Sequence, residues 1–385
     1  MYERNATVVR TLHALLVVCA LAMLGQVQAV EFHVAPAVAW ASDNNPGTLE
    51  RPWKSIGRGA MLAIAGDTVL IHAGTYPESI ATTHNGTTEA PITFRAFADD
   101  EVAVDGADTI PAEKWHLVVG TKNIFITPFG SDPGQVVVDG KPFYVKVDQV
   151  SKTYPRKYRR GILTDTDRNA YQYILASKSL LINLGGDSPA KHTIRVPARV
   201  FGFHLGAHSR LIGVQFSHYQ SAGIHVSGDN SLVEDCVVTD SGGGIVVDGW
   251  DRHGVVLRRN TIVDAQGNGI LLLDRPTQSS VEDNLAVRCT LNPAHKDDWM
   301  GSVKLNSASD IIFSHNVVLE GGNPETDEGH DGSGFWGDIN IGRVMYVGNT
   351  CANTKEYGLY VEYSMADTRA FFNTFYNNGH GITCR

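Results

Sequence analysis

The sequence predicts an all-β solenoid, a right-handed parallel β-helix, and three observations support that prediction. Two short phrases recur in step through the C-terminal half of the chain, and each is about one strand long. The spacing between successive copies is that of one coil in a solenoid. The chain also contains 39 glycines in 385 residues, above the usual share of ~7%, and six of the seven copies of the first phrase begin with one.

The first phrase is a glycine followed by a short strand. Its copies begin at Gly223, Gly244, Gly269, Ser302, Gly334, Gly358 and Gly381. Successive copies are 21, 25, 33, 32, 24 and 23 residues apart, which is the length of one coil with loops inserted into two of them. Helical periodicity is absent from this half, and so is the Leu-x-x-Leu-x-Leu pattern of leucine-rich repeats. The phrase therefore predicts stacked parallel strands.

The second phrase is a short strand that starts beside an asparagine. The asparagines are Asn260, Asn284, Asn316, Asn349 and Asn373. Because an asparagine amide at a turn can hydrogen-bond nearby backbone groups, the same corner of each coil can carry a ladder of stacked asparagines. Two phrases that repeat in step favour the β-helix over other repeat architectures.

The first 29 residues have the pattern of an export signal. Arg4 and Arg10 precede an apolar run at 12–24, and Ala29 ends a small-x-small cleavage motif. The run is shorter than the ~20 residues that a membrane-spanning helix needs. We expect residues 1–29 to be removed as a signal peptide, leaving a secreted or periplasmic protein without a membrane span.

Three further segments follow the signal. Residues 30–110 are expected to form an N-terminal cap, with a short amphipathic helix, and the first coils. A cap is needed because an open solenoid end exposes core and unpaired strand edges. Residues 111–200 break the coil rhythm and are expected to form a β-rich excursion. Residues 201–385 are expected to form the coils that carry the site, and they stop one strand into a new coil, without a C-terminal cap.

Composition narrows the classes of function. The net charge is −9, from 32 basic and 41 acidic residues, so the chain lacks the basic excess typical of nucleic-acid-binding proteins. A hydrophobic share of 43% excludes global disorder. The 5 cysteines are too few for a disulfide scaffold. No Cys-x-x-Cys or histidine-rich spacing indicates zinc, and these patterns predict neither a metal site nor a resident cofactor.

The alternation of side chains along a strand indicates which of them point away from the core. When each starting glycine or serine is position zero, positions +1 and +3 are apolar in nearly every copy. Side chains alternate between the two faces of a strand, so positions +2 and +4 are expected to point outward. In three adjacent coils, those positions hold Lys304, Asn306, Trp336, Asp338, Tyr360 and Glu362. This concentration of polar and aromatic residues predicts a functional face.

Asp338 and Glu362 occupy the same position on adjacent coils. Parallel strands lie roughly 4.8 Å apart, so we expect the two carboxylates to be about 5 Å apart. Retaining glycosidases hold their carboxyl pair at about 5–5.5 Å, and inverting ones at roughly 6.5–9.5 Å. Like charges at this distance push two pKa values apart, which makes one group an ionised nucleophile and the other a protonated acid. The spacing therefore predicts a retaining glycoside hydrolase with Asp338 and Glu362 as catalytic residues.

Neighbouring residues are predicted to bind the substrate. Trp336 and Tyr360 offer rings that can stack on sugar faces, and Lys304, with Asn306 beside it, offers a hydrogen bond to a sugar hydroxyl.

Loops flank the same face. His330 and Asp331 lie on the loop before the Asp338 strand, which is expected to reach over the groove. Trp250 and Trp299 also lie on loops beside this face. A wall of a sugar subsite is one interpretation for each, and structural packing is the preferred one.

The stretch from Gly334 to Glu362 resembles the active-site segment of glycoside hydrolase family 120, whose members are β-helix β-xylosidases. The shared pattern is Gly-x-Trp-x-Asp, an asparagine corner and Gly-x-x-x-Glu, present here as Gly334 to Asp338, Asn349 and Gly358 to Glu362. The resemblance implies that Asp338 is the nucleophile and Glu362 the acid/base. It also implies a polysaccharide or oligosaccharide substrate, with a β-xyloside as one option, within the broader pectate-lyase-like group of β-helix proteins.

Two other functions remain open at this point. A polysaccharide lyase would use Lys304 as its base and calcium to neutralise a uronate carboxylate, with Asp338 and Glu362 among the oxygen ligands. Asp248 is three coils from Asp338, roughly 14 Å, too far to share one ion. A non-catalytic glycan-binding β-helix would have the coils and ladders without a carboxylate pair flanked by aromatic residues.

Overall fold

Three stacked sheets form the body of the protein. The computed structural model describes residues 29–151, 157–291, 300–322, 332–339, 341–364 and 366–385. Within these ranges, sheets of 10, 9 and 9 strands add their strands in an order that follows the chain. Neighbouring strands pair in parallel throughout these three sheets, as in the pairs of residues 245–247 with 270–272 and of residues 301–306 with 333–338. Each coil therefore contributes one strand to each sheet, and the predicted parallel β-helix is confirmed.

The strand bounds define the three sheets. The first sheet contains β1 (Glu31–Val34), β2 (Thr68–Ile71), β5 (Ile92–Ala96), β18 (Ser209–Ile212), β21 (Leu232–Glu234), β24 (Val256–Arg258), β27 (Thr277–Glu282), β30 (Ser309–Ser314), β33 (Val344–Val347) and β36 (Thr368–Phe371). The second sheet contains β3 (Gly74–Tyr76), β6 (Val102–Asp105), β19 (Gln215–Ser217), β22 (Val237–Thr239), β25 (Thr261–Val263), β28 (Leu285–Val287), β31 (Val317–Leu319), β34 (Thr350–Ala352) and β37 (Thr374–Tyr376). The third sheet contains β4 (Ile80–Ala81), β17 (Phe201–Leu205), β20 (Ala222–Val226), β23 (Ile245–Val247), β26 (Ile270–Leu272), β29 (Gly301–Asn306), β32 (Ser333–Asp338), β35 (Tyr357–Val361) and β38 (His380–Cys384).

The core fills the space between the sheets. Along the third sheet, the +1 and +3 columns point inward: Ile245 and Val247 are followed by Ile270 and Leu272 on the next coil, and all four are buried in one continuous apolar cluster. That cluster extends from Val34 on the first coil to Val361. Because each coil buries its apolar residues against its neighbours, stability is shared along the whole stack.

The asparagine ladder is present as predicted. Nδ2 of Asn284 donates to the backbone oxygen of Leu257 at 2.9 Å and to Oδ1 of Asn316 at 2.9 Å. Its own Oδ1 accepts from the backbone nitrogen of Asn260 at 2.9 Å. The same pattern continues to Asn349 and beyond. The buried backbone groups at this corner are thereby satisfied by side chains, which fixes the vertical register of the coils.

A short helix, α1 (Ile56–Leu62), packs against the first coil. The hydroxyl of Ser55 accepts a hydrogen bond from the backbone nitrogen of Arg58, and the Glu78 carboxylate accepts from the first two helical residues. Ile56 and Ala60 are buried on its inner face. These caps satisfy amide groups that have no partner within the helix.

A separate sheet is inserted between β6 and β17. It contains β7 (Ala107–Thr109), β8 (His116–Leu117), β9 (Ile124–Pro128), β10 (Val136–Val138), β11 (Lys141–Val145), β14 (Ala170–Ile174), β15 (Ser179–Asn183) and β16 (Ile194–Pro197). A hairpin of β12 (Val147–Ser151) and β13 (Lys157–Arg160) and the two 3₁₀ turns at Ala112–Lys114 and Pro189–Lys191 complete this region. It has its own buried cluster around Val136, Tyr171 and Ile182.

One buried carboxylate joins the inserted sheet to the solenoid. Asp105, at the end of β6, accepts from Arg195 at 2.6 Å and contacts Nδ1 of His218 at 3.2 Å. Burial by itself would raise the pKa of Asp105, but these partners and the backbone nitrogen of Ala107 lower that pKa to about 2. The charged form is therefore the one that the joint stabilises.

The structure describes the C-terminal end of the chain but not its first 28 residues. Residues 1–28, which contain nearly all of the predicted export signal, lie outside the described residues. At the other end, the last coil leaves Phe372 and Ile382 exposed. Within the described ranges, no helix combines the length and the apolar character needed to cross a membrane.

Candidate active site

The predicted site residues lie at one end of three adjacent strands. β29, β32 and β35 are neighbours in the third sheet, with Lys304 paired to Trp336 and Trp336 paired to Tyr360. Asn306 is paired with Asp338. The backbone nitrogen of Glu362 donates to the oxygen of Gly337 at 2.8 Å, which places Glu362 on the coil next to Asp338. The carboxylate separation of about 5 Å stays a prediction from the strand spacing.

Asp338 is surrounded by donors. Its Oδ2 accepts from Nζ of Lys304 at 3.0 Å and from Nδ2 of Asn306 at 3.0 Å. The side chains of Lys304 and Asp338 are only 7% and 13% exposed, so solvent screens this ion pair weakly. Hydrogen bonds from a cation and an amide stabilise the charged form of a carboxylate. This environment suits a nucleophilic carboxylate.

Glu362 has a contrasting environment. It is 7% exposed, and its Oε2 has no hydrogen-bond partner within the part of the chain that the structure describes. Burial, followed by the Glu362 charge, raises the pKa of Tyr360 to about 12, while Arg385 opposes that rise. The Tyr360 phenol is therefore neutral at ordinary pH. The two carboxylates therefore have different surroundings: Asp338 accepts from two side-chain donors, while Glu362 lies beside the neutral Tyr360 phenol.

The two aromatic residues of the site are buried. Trp336 and Tyr360 each have 0% exposure, and they lie outside the solenoid core cluster. Their ring centroids are 5.3 Å apart, and Nζ of Lys304 lies 4.0 Å from the centroid of the Trp336 ring. Tyr357 stacks on Tyr360 at 4.7 Å. The expectation of open rings ready to stack on a sugar is therefore wrong for this structure, because both rings are fully buried.

Several other predicted residues have different outcomes. His330, Asp331 and Trp299 lie outside the described residues. Trp250 is described, and its assignment to packing is wrong, because the residue is 66% exposed. Among the residues that are described, no group of three or more histidine, cysteine or acidic side chains is arranged to hold a metal ion.

A second polar cluster lies on the same outer face, toward the N-terminus. Nε2 of His225 contacts Oδ1 of Asp248 at 2.5 Å, and Nε2 of His204 contacts the hydroxyl of Ser227 at 2.5 Å. The two imidazole rings meet edge to face at 4.5 Å. Burial, together with the neighbouring His225, lowers the pKa of His204 below its usual value, and the more distant Asp248 opposes that effect.

Sequence reasoning missed this cluster because it treated each column separately. In both patches, a side chain at +2 contacts the residue at +4 on the next coil: Lys304 contacts Asp338, and His225 contacts Asp248. Side chains on strands lean along the strand direction, so a long side chain can reach this diagonal neighbour. The His225 and Asp248 pair was visible as a histidine and an acid in those positions. His204 precedes the first copy of the repeated phrase and had no such signal.

Comparison with known proteins supports the fold. The sequence profile described as "Right handed beta helix region" matches residues 202–286 and 222–385. A solved structure, "The complex structure of XylC with xylose", has 16% sequence identity and a TM-score of 0.65, covering 92% of this chain and 70% of the other. A structure described as "Glycoside hydrolase" has 12% identity and a TM-score of 0.57, covering 92% and 97%. Identities this low bear on the fold alone.

Curated relatives match over shorter stretches. "Uncharacterized protein YwoF" from Bacillus subtilis is 40% identical over 72 residues, which is 19% of this chain and 15% of that protein. "Pectate lyase PEL9" from Emericella nidulans is 34% identical over 89 residues, or 23% of this chain and 21% of that protein. The matches thus span about a fifth or less of each relative's length. The strand topology, together with the matching sequence profile, shows that this chain has the right-handed parallel β-helix fold.

Proposed function

We propose that this protein is a carbohydrate-active enzyme that is exported from the cell and acts as a retaining glycoside hydrolase, with Asp338 as nucleophile and Glu362 as acid/base. The observation that carries the proposal is the pair of carboxylates on adjacent coils in unlike environments. Asp338 accepts from two side-chain donors, whereas Oε2 of the buried Glu362 has no hydrogen-bond partner among the residues that the structure describes. The names of the XylC and "Glycoside hydrolase" structures support the same class of substrate.

The chemistry proceeds in two steps. Asp338 attacks the anomeric carbon while Glu362 gives its proton to the departing glycosidic oxygen, so the bond to the leaving group breaks as a bond to Asp338 forms. Glu362 then takes a proton from water, and that water displaces Asp338 from the same carbon. Two inversions give net retention. Lys304 and Asn306 orient Asp338 throughout, since both donate to its Oδ2.

Hydrolysis of aryl β-xylosides and a panel of related aryl glycosides tests the proposal. The wild-type protein should release the phenol, and proton NMR of the first product should show the anomeric configuration of the substrate. Glu320→Gln is a matched control, because this exposed acid follows β31 in a different sheet. Turnover that survives both Asp338→Asn and Glu362→Gln, or a product of inverted configuration, contradicts the assignment.

A polysaccharide lyase is the second candidate, and the match to PEL9 favours it. In that case Lys304 would act as the base toward a uronate, and it already lies buried against Asp338. Incubation with polygalacturonate and calcium distinguishes the two candidates. Growth of the absorbance of an unsaturated uronate, without hydrolysis of any glycoside, would replace the hydrolase proposal with the lyase. Glycan binding without turnover would indicate a non-catalytic binding protein.

A further inference from the structure

Trp250 is an exposed tryptophan on the face that carries the candidate site. It lies just beyond the end of β23, two residues after Asp248, and it is 66% exposed. The guanidinium carbon of Arg275, on the next coil, lies 4.8 Å from its ring centroid. One face of the indole is therefore held by a cation, while most of the residue remains open to solvent. An exposed ring that is fixed in this way offers an apolar surface on which a ligand can stack.

A cavity lies beside the turn that carries Trp250, since Arg252 of that turn lines it. It has a volume of about 350 Å³, and its lining includes Thr82, Asn85, His204, Ser227 and Arg252. This size is within the range of small-molecule sites, roughly 300–1,000 Å³. The guanidinium of Arg252 donates to the backbone oxygen of Trp250 at 3.1 Å and to that of Ser227 at 3.1 Å. Arg252 therefore links the turn that carries Trp250 to the lining of the cavity, and the turn and the cavity together form one candidate binding surface.

The charges around this surface are balanced. Arg275 pairs with Asp251 at 3.1 Å, Arg252 lies 3.5 Å from Asp229, and the lowered pKa of His204 favours its neutral form. Since each arginine already faces a carboxylate, the surface has no surplus of positive charge for a uronate. An open indole beside hydroxyl, amide and imidazole groups instead suits a neutral sugar, which presents apolar C–H faces and hydroxyl edges.

The position of Trp250 relates it to the candidate catalytic pair. Asp248 and Asp338 both stand at the carboxyl ends of strands of the third sheet, and β23 is three strands from β32. At ~4.8 Å per strand, the separation along the stack is about 14 Å. Two coils lie between them: the first carries Leu271 and Leu273, both half-buried, and the second carries Lys304 and Asn306. A single sugar cannot span this distance, whereas an oligosaccharide lying across the leucines can.

We propose that Trp250, with the adjoining cavity of His204, Ser227 and Arg252, is a distal sugar-binding subsite for a neutral oligosaccharide whose other end lies at Asp338 and Glu362. The proposal rests on the proposed hydrolase function, because that function places the other end of the bound chain at Asp338 and Glu362. Binding at Trp250 does not itself require turnover. It specifies the substrate class as an extended neutral chain.

Binding of xylohexaose and of a polygalacturonate hexamer to the Glu362→Gln protein tests the subsite, by calorimetry and by quenching of tryptophan fluorescence. Adding Trp250→Ala should weaken xylohexaose binding about tenfold, and Trp250→Phe should restore most of it. Trp40→Ala is a matched control, because Trp40 is also 66% exposed but lies near the N-terminus, where its Nε1 donates to the backbone oxygen of Glu50. In the active protein, Trp250→Ala should raise the KM for xylohexaose relative to that for an aryl xyloside.

Equal xylohexaose affinity with and without Trp250→Ala overturns the subsite, as does tighter binding of the galacturonate hexamer or a failure of the Glu362→Gln protein to bind the neutral hexamer. These failures are distinguishable from failure of the hydrolase proposal. If the protein cleaves aryl glycosides but Trp250→Ala changes nothing, only the subsite is wrong. If xylohexaose binding depends on Trp250 but no glycoside is cleaved, only the hydrolase assignment is wrong.

Discussion

Two patches on the outer face of the third sheet share one geometry and differ in what lies on the following coil. In one patch, Lys304 contacts Asp338; in the other, His225 contacts Asp248, each across the same diagonal between coils. The coil after Asp338 places Glu362 at the matching position, whereas the coil after Asp248 places Leu273 there. Only the first patch therefore has a carboxylate pair, which glycoside hydrolysis requires. Both patches therefore hold an acid that a side chain from the preceding coil contacts, and the second acid is what distinguishes the first patch.

The largest expected effect is the loss of activity when either acid of the first patch, Asp338 or Glu362, is replaced. Asp338→Asn and Glu362→Gln should each lower kcat/KM for an aryl glycoside by on the order of 10³-fold, within the range for losing a catalytic proton-transfer or nucleophilic group. Asp310→Asn, an exposed acid paired with Arg343 on the first sheet, serves as the reference and should leave kcat/KM within about twofold. Steady-state kinetics measure all three. An equal loss in the reference variant would show that the effect is structural.

The asparagine ladder stabilises the coils that separate the two patches, and a substitution in the ladder should lower the free energy of unfolding. Asn284 lies on the coil between β26 and β29 and makes hydrogen bonds to both neighbouring coils. Asn284→Leu would leave the backbone nitrogen of Asn260 buried without its acceptor, so we expect a loss of about 2–3 kcal/mol in unfolding free energy. Urea denaturation followed by circular dichroism measures that loss. Asn377→Leu is the control, since Asn377 is exposed at its turn, and it should change the free energy by less than about 0.5 kcal/mol.

The role of Lys304 distinguishes the hydrolase from the lyase. Lys304→Met removes the cation beside Asp338 while filling a similar apolar volume. In the hydrolase it should lower kcat by about 10- to 100-fold, because the nucleophile loses one of its two donors. In a lyase it would abolish turnover of polygalacturonate altogether. Lys191→Met, at an exposed ion pair with Asp187 in the inserted sheet, provides the comparison and should retain full activity.

The smallest effect concerns the joint between the inserted sheet and the solenoid, on the coil that precedes the His225 patch. The folded pKa of Asp105 is about 2, below its ordinary value of 3.8. A lowered pKa means that the contribution to stability is complete above the unfolded value and is lost as the pH falls toward the folded one. Asp105→Asn should therefore cost about 1–2 kcal/mol at pH 7.

The difference between wild type and Asp105→Asn should stay constant from pH 7 to about 5 and shrink as the pH approaches 2. Urea denaturation at a series of pH values checks this. A difference that grows on acidification would contradict the assigned direction of the pKa shift.

The repeat carried most of the fold information. The stacked strands, the inward +1 and +3 columns and the ladder from Asn260 to Asn373 followed from local pattern alone, because each coil repeats the same contacts with its neighbours. The site was only partly predictable. The pattern placed Lys304, Asn306, Asp338 and Glu362 on one face, but it misjudged the exposure of Trp336 and Tyr360.

That error has a physical reason. Strand alternation determines whether a side chain points into the core or away from it, but it carries no information about what packs against the outer face. Tyr357 and Lys304 cover Tyr360 and Trp336 there. The opposite error concerns Trp250, which was assigned to packing although the residue is 66% exposed. It lies on a turn, where strand alternation does not predict the direction of a side chain.

The sequence by itself determined the architecture of this protein and the two acids on adjacent coils, because both depend on a period that can be counted along the chain. The tertiary structure alone decided which side chains pair across coils, which rings are open and where the cavity lies. Those properties depend on side-chain length and lean and on contacts between residues that are distant in sequence, such as Asn85 and Ser227 around one cavity. No count of residues along one strand contains that information.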